Sequence, residues 1–157
     1  MPEIRANGIT LTYEIDGPDD GVPVVMIMGL AAQLIDWPPD MVRALNNAGF
    51  KTIRFDNRDI GLSEKLEGRK APNIFLQAIL RRFGVKGLSP YNLSDMAADT
   101  IGLLDALNID KAHVIGVSMG GMIAQVGAGP FPERVLRLTA ILTSTHEPRF
   151  PRPPADG

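Results

Sequence analysis

Ser118 stands in the run Gly116-Val117-Ser118-Met119-Gly120, with the apolar stretch AHVIGV (112–117) before it and helix-compatible residues after it. A serine used as a nucleophile must stand clear of the backbone at a tight strand-to-helix turn. The residues two places to either side are squeezed there, and glycines at 116 and 120 remove side chains that would collide. A helix starting at the serine turns the Met119 N–H, and the positive end of its dipole, toward negative charge developing at the site. A second donor is expected after the earlier apolar run 23–28, where Gly29 permits a sharp turn that aims the Leu30 N–H at the same point. The chemistry within reach is acyl transfer, with Ser118 as nucleophile and the amides of Leu30 and Met119 holding an oxyanion. It calls for no metal and no cofactor.

Such a serine needs a base, and the chain has two histidines. His113 lies five residues before Ser118 on the same predicted strand, roughly 16 Å away at about 3.3 Å per residue. Proton transfer needs contact at about 3 Å, so His113 reads as a strand-entry residue with a locally satisfied ring. His146 is the one base candidate, because it follows the last predicted strand on the carboxyl edge of the sheet, where such sites form. Its neighbour Glu147 is badly placed to orient it, and a solvated loop histidine is the simpler reading. Asp36, Asp56 and Asp59 read as loop or turn residues and Asp99 as part of a helix's polar face.

The elements that position these residues follow from the pattern. Asn7-Gly8 between two alternating segments predicts a hairpin. The run PVVMIM (23–28) is apolar throughout, as a strand buried on both faces should be. Pro38-Pro39 opens a helix that Gly49 ends, and residues 50–56 form the next strand. A long polar loop is expected to residue 72. A helix capped by Asn73 follows, carrying Ile74, Phe75, Ala78, Ile79 and Phe83 on one stripe. A second helix runs through LSDMAADTIGLLDALNI with Ser94 as its cap. After the elbow, Gly127, Gly129 and Pro130 predict an early helix end, and 134–144 is a final β-run. The alternation of strands and helices is that of an α/β protein, with a mostly parallel sheet of about six strands flanked by helices. Residues 1–145 are expected to form the core and 146–157 a proline-rich extended tail.

Composition narrows the partners. The chain has 157 residues, no cysteine and a formal net charge of −2, with 16 basic residues that are scattered rather than clustered. That argues against nucleic acid or an anionic membrane as partner, and excludes disulfide frameworks and thiolate sites. No signal peptide or membrane-spanning run is visible, which makes a cytoplasmic location the expectation.

Taken together, GVSMGGMIAQ, VVMIMGLAAQLIDWP, RFDNRDIGLS and FPERV resemble the α/β-hydrolase superfamily, and its esterase and methylesterase-like members in particular. The resemblance implies Ser118 as nucleophile, Leu30 and Met119 as oxyanion donors, and Asp56 and Arg58 in a turn that brace the oxyanion loop. It places Tyr13 and Trp37 near the pocket. It also implies a longer core of eight strands with a lid after the sixth, and an acid and histidine on loops after the seventh and eighth. The sequence resembles such a core cut after its sixth strand, with the tail where the lid connection starts.

The expected function is therefore hydrolysis of a small carboxylic ester through an acyl-enzyme at Ser118, weak or absent for want of the acid and the histidine. The alternatives are a non-catalytic fragment serving in assembly or ligand binding, and half of a two-piece enzyme. An uncovered last strand predicts a homodimer joined through residues 135–142.

Overall fold

The computed structural model describes residues 1–66 and 90–145. Six strands, β1 (Glu3–Ala6), β2 (Ile9–Asp16), β3 (Val22–Ile27), β4 (Phe50–Phe55), β5 (Ala112–Val117) and β6 (Val135–Ile141), form one sheet in the order β1-β2-β4-β3-β5-β6. β4, β3, β5 and β6 run parallel, and the β1–β2 hairpin adds antiparallel to β4. The helices are α1 (Pro39–Asn47), α2 (Leu93–Ala106) and α3 (Met119–Ala128). This is the expected α/β sheet of six strands.

The unbroken apolar character of β3 is explained by helices on both faces. Val25 and Ile27 pack with Ile53, Met96, Leu103 and Ile123 on the side of α2 and α3. Val24 and Met26 pack with Met28, Trp37 and Val42 on the side of α1. Both central hairpin residues, Asn7 and Gly8, have positive φ (46° and 81°), the geometry for which Asn-Gly is suited. Pro39 opens α1 as its first residue, and Gly49 follows the helix at φ 87°.

β3 and β4 each end one residue earlier than expected, and three other boundaries also differ. The cap of α2 is Asn92 rather than Ser94: its side chain accepts from the Ser94 and Asp95 amides at 2.7 and 3.2 Å. The Asp95 carboxylate returns to the Asn92 N–H at 2.8 Å, a reciprocal cap that a lone serine two residues later does not make. The last strand ends at Ile141, because Leu142 turns out of it at φ 48°. α2 stops at Ala106, where the Ile109 N–H returns to the Leu104 carbonyl and Asn108 takes φ 56°. α3 ends at Ala128, ahead of Gly129-Pro130, as the glycines and proline predicted. The helix expected after Asn73, the tail 146–157 and His146 lie outside the described residues.

Candidate active site

β5 delivers Ser118 to the carboxyl edge of the sheet, at an exposed turn with φ 54° and ψ −120°. A non-glycine residue holds such a conformation only where its surroundings over-determine it. Two contacts do so here. The Ser118 N–H donates to the Ile141 carbonyl at 2.9 Å, tying the turn to the end of β6. Gly116 and Gly120 meet so closely that a Cβ on Gly116 would lie 2.4 Å from the Gly120 carbonyl oxygen. The steric reason for glycine at both positions is thus visible in the backbone.

The segment after β3 lies against the same serine. A Cβ on Gly29 would sit 3.2 Å from the Ser118 Cβ and 3.7 Å from its Oγ. Gly29, Leu30, Ala31 and Ala32 form a turn closed by the Ala32 N–H to the Gly29 carbonyl at 3.4 Å, with Ala31 at φ 60°. A Cβ on Gly120 would fall 2.1 Å from the Ile27 carbonyl oxygen and 2.7 Å from that of Met28, so the first turn of α3 seats directly on the end of β3. Among the described residues, neither the Leu30 nor the Met119 N–H donates to a backbone or side-chain acceptor. Ser118 and the Gly29–Leu30 segment are therefore brought together, with two amides left unpaired.

The loop leaving β4 braces this segment. The buried Asp56 carboxylate accepts from the Leu34 N–H at 2.7 Å and from the Leu62 N–H at 3.0 Å. Asn57, also buried, donates its Nδ2–H to the Met28 carbonyl at 3.0 Å, one residue before Gly29. Sequence reasoning passed over Asn57, since a single amide in a polar loop carries no signal of what it will reach. Arg58 does not touch the oxyanion loop directly. It grips Asp99 through Nε and Nη2, both at 2.6 Å, and its guanidinium lies 5.0 Å from the Tyr91 ring centroid.

Asp99 corrects the expectation of a solvated helix face. It is 2% exposed and takes a third hydrogen bond from Asn7 Nδ2 at 2.8 Å, joining the hairpin turn, the β4 loop and α2. Its hydrogen bonds push the Arg58 guanidinium pKa up from an already high value. Burial, with a hydrogen bond from Tyr91 to Asp59, pushes the Tyr91 hydroxyl up to about 12.

The remaining sequence candidates are committed elsewhere. Asp36 accepts from the Gln33 N–H at 2.7 Å, and Asp59 from the Leu66 N–H at 2.8 Å. His113 packs edge-on against Phe50, with ring centroids 5.7 Å apart, at the far end of β5. Trp37 is buried in the core beside Met28, and Tyr13 packs from β2 against the opposite core. An open groove between the hairpin turn and α2 is lined by Arg5, Asn7, Asp105 and Phe131. Its charges are engaged, Arg5 with the Gly8 carbonyl and Asp105 with Arg134. No helix of the described residues is long and apolar enough to cross a membrane.

Comparison with known proteins places this geometry. The sequence profile of the alpha/beta hydrolase fold family matches residues 22–156. Rhodomycin D methylesterase DauP from Streptomyces sp. (strain C5) is 32% identical over 139 residues, 88% of this chain and 41% of that protein. The crystal structure of a hydrolase from Pseudomonas aeruginosa PA01 superposes with a TM-score of 0.71 at 28% identity, covering 90% of this chain and 44% of the other. The enol-lactonase from Burkholderia xenovorans LB400 gives 0.70 at 29% identity, over 87% and 45%. The chain thus spans about two fifths of the length of the curated relatives it matches first. On the strength of the profile match and of relatives that include methylesterases, the chain belongs to the α/β-hydrolase fold family.

Proposed function

We propose that the chain carries the nucleophile and oxyanion donors of a serine hydrolase acting on carboxylic esters. Ser118 Oγ attacks the ester carbonyl, and the carbonyl oxygen takes the negative charge between the N–H groups of Leu30 and Met119. Collapse breaks the bond to the alcohol oxygen, the proton from Oγ leaves with the alcohol, and water then splits the acyl group from Ser118 as a carboxylate. The observation that carries this reading is the unpaired state of those two amides where Gly29 packs against Ser118.

Turnover by these residues is expected to be slow. The only histidine among the described residues is held against Phe50, away from Ser118. Without a base the oxyanion donors alone still accelerate the reaction over water, by about 10³–10⁴-fold in well-studied serine proteases. The test is turnover of an activated aryl ester, 4-nitrophenyl acetate. A slow rate that Ser118→Ala abolishes supports the reading; a rate unchanged by that substitution, or none above buffer, overturns it.

A second reading, assembly, is favoured by one observation. β6 pairs only with β5 among the described residues, and Leu136 on it is 39% exposed. We propose that two copies join through 135–142, since an unpaired apolar edge recruits another strand. Light scattering at micromolar concentration should give a dimer; a monomer overturns it.

A further inference from the structure

β3 ends before the segment that meets Ser118. Its last ladder pairs are Met26 with Arg54 of β4 and Ile27 with Gly116 of β5. The next residue, Met28, is held by a side chain instead. Asn57, two residues past the end of β4 and 2% exposed, donates its Nδ2–H to the Met28 carbonyl at 3.0 Å. Its neighbour Asp56 holds the other end of the same loop, accepting from the Leu34 N–H at 2.7 Å. The span from Met28 to Leu34 is thus pinned at both ends by two consecutive buried side chains.

The Leu30 amide lies inside that span. The peptide plane between Met28 and Gly29 carries the carbonyl that Asn57 holds, and the next plane carries the Leu30 N–H. Only φ and ψ of Gly29 separate the two planes, and glycine restrains those angles less than any other residue. Within the turn, the Ala32 N–H reaches the Gly29 carbonyl at 3.4 Å, a long bond that fixes direction poorly. A Cβ on Gly29 would be 3.3 Å from the Val117 carbonyl oxygen and 3.2 Å from the Ser118 Cβ, and the Leu30 nitrogen is two bonds from the Gly29 Cα. A rotation of the first plane is therefore passed on to an N–H next to the serine.

The Met119 amide is held by other means. It opens α3, whose first turn returns the Gly121 and Met122 N–H groups to the Ser118 carbonyl at 3.0 and 3.3 Å, and the Ser118 N–H is tied to Ile141. Among the described residues Asn57 hydrogen-bonds to none of these groups. We propose that Asn57 is a positioning residue for one oxyanion donor: its bond to the Met28 carbonyl sets the direction of the Leu30 N–H and leaves that of Met119 alone. The inference rests on the reading of Ser118 as nucleophile, and adds that the two donors are aligned by separate parts of the chain. An asparagine that only satisfied a buried carbonyl would stabilise the fold without favouring either donor.

A fluorophosphonate tests it. Ser118 Oγ bonds phosphorus as fluoride leaves and the proton passes to water, which puts the phosphonyl oxygen where the ester oxyanion would lie. In the wild-type adduct, amide NMR should show the Leu30 and Met119 protons both moved downfield by hydrogen bonds to that oxygen. In the Asn57→Leu adduct the Met119 shift should remain and the Leu30 shift should be lost, and labelling should slow by about 10–100-fold per folded molecule. Should Asn57→Leu not fold, Asn57→Ala removes the same donor without adding bulk and gives the same comparison. A rate and a pair of shifts equal to those of the wild type overturn the inference, as does equal loss of both shifts, which marks a general loosening. Two results on the wild type alone also overturn it: a Leu30 amide unmoved in the adduct, or Asn57 side-chain amide protons that exchange as fast as those of the exposed Asn47. A failure of the nucleophile reading shows separately, as no adduct on Ser118 in the wild type.

Discussion

Replacing Asp99 by leucine removes the acceptor of three hydrogen bonds at once. Arg58 Nε and Nη2 each lose a 2.6 Å contact and Asn7 Nδ2 loses one of 2.8 Å. The Arg58 side chain is only 9% exposed, so its charge is left in a poorly hydrated place with no counter-ion. Breaking a buried pair from one side costs about 3–5 kcal/mol. Against the 5–15 kcal/mol or so that holds a typical domain folded, that is a large fraction. The double replacement Arg58→Met with Asp99→Leu should recover most of the loss, since an apolar pair of similar volume is roughly neutral. What remains unrecovered is the Arg58 contact with Tyr91, about 0.5–1 kcal/mol, and the Asn7 hydrogen bond, about 1 kcal/mol. Urea titration reads both, as a shift in midpoint at constant slope. A single mutant costing less than about 1 kcal/mol, or a double mutant as unstable as the single, would refute the buried network.

Within α3, Gly120→Ala and Gly127→Ala should have opposite signs. The first puts a methyl 2.1 Å from the Ile27 carbonyl oxygen and should destabilise by several kcal/mol or prevent folding, whereas the second meets only Ala97 Cβ at 3.4 Å. With helix propensity in its favour, Gly127→Ala should stabilise by up to about 1 kcal/mol in urea titration. For Tyr91, the folded-state pKa of about 12 lies above the ordinary tyrosine value of 10.0. Its contribution to stability is therefore fully present below pH 10 and is lost as pH rises toward 12. The stability difference between the wild type and Tyr91→Phe should shrink or invert over that window, and a difference flat with pH contradicts it.

The elbow was legible because its demand is steric and local. Gly116 and Gly120 sit where backbone meets backbone, and that need shows directly as spacing in the sequence. β3 was legible for a related reason: a strand covered on both faces has no polar alternation to hide it. Asp99 was not, because its burial depends on Arg58, 41 residues earlier, and on Asn7, 92 residues earlier. Amphipathic spacing alone puts an aspartate on a helix's wet side. The cap of α2 was misplaced because Asn92 and Ser94 are both good capping types, and only the reciprocal bond from Asp95 decides between them. The end of β6 had no signal at all, since leucine is among the residues least expected at positive φ.

Covalent labelling tests most directly whether Ser118 is a nucleophile facing the amides of Leu30 and Met119, which are unpaired among the described residues. Intact-mass spectrometry after incubation with a fluorophosphonate probe should show a single adduct, mapped to the peptide containing Ser118 and absent from Ser118→Ala. No adduct under conditions that label a serine esterase control, or an adduct on another residue that survives Ser118→Ala, would contradict it.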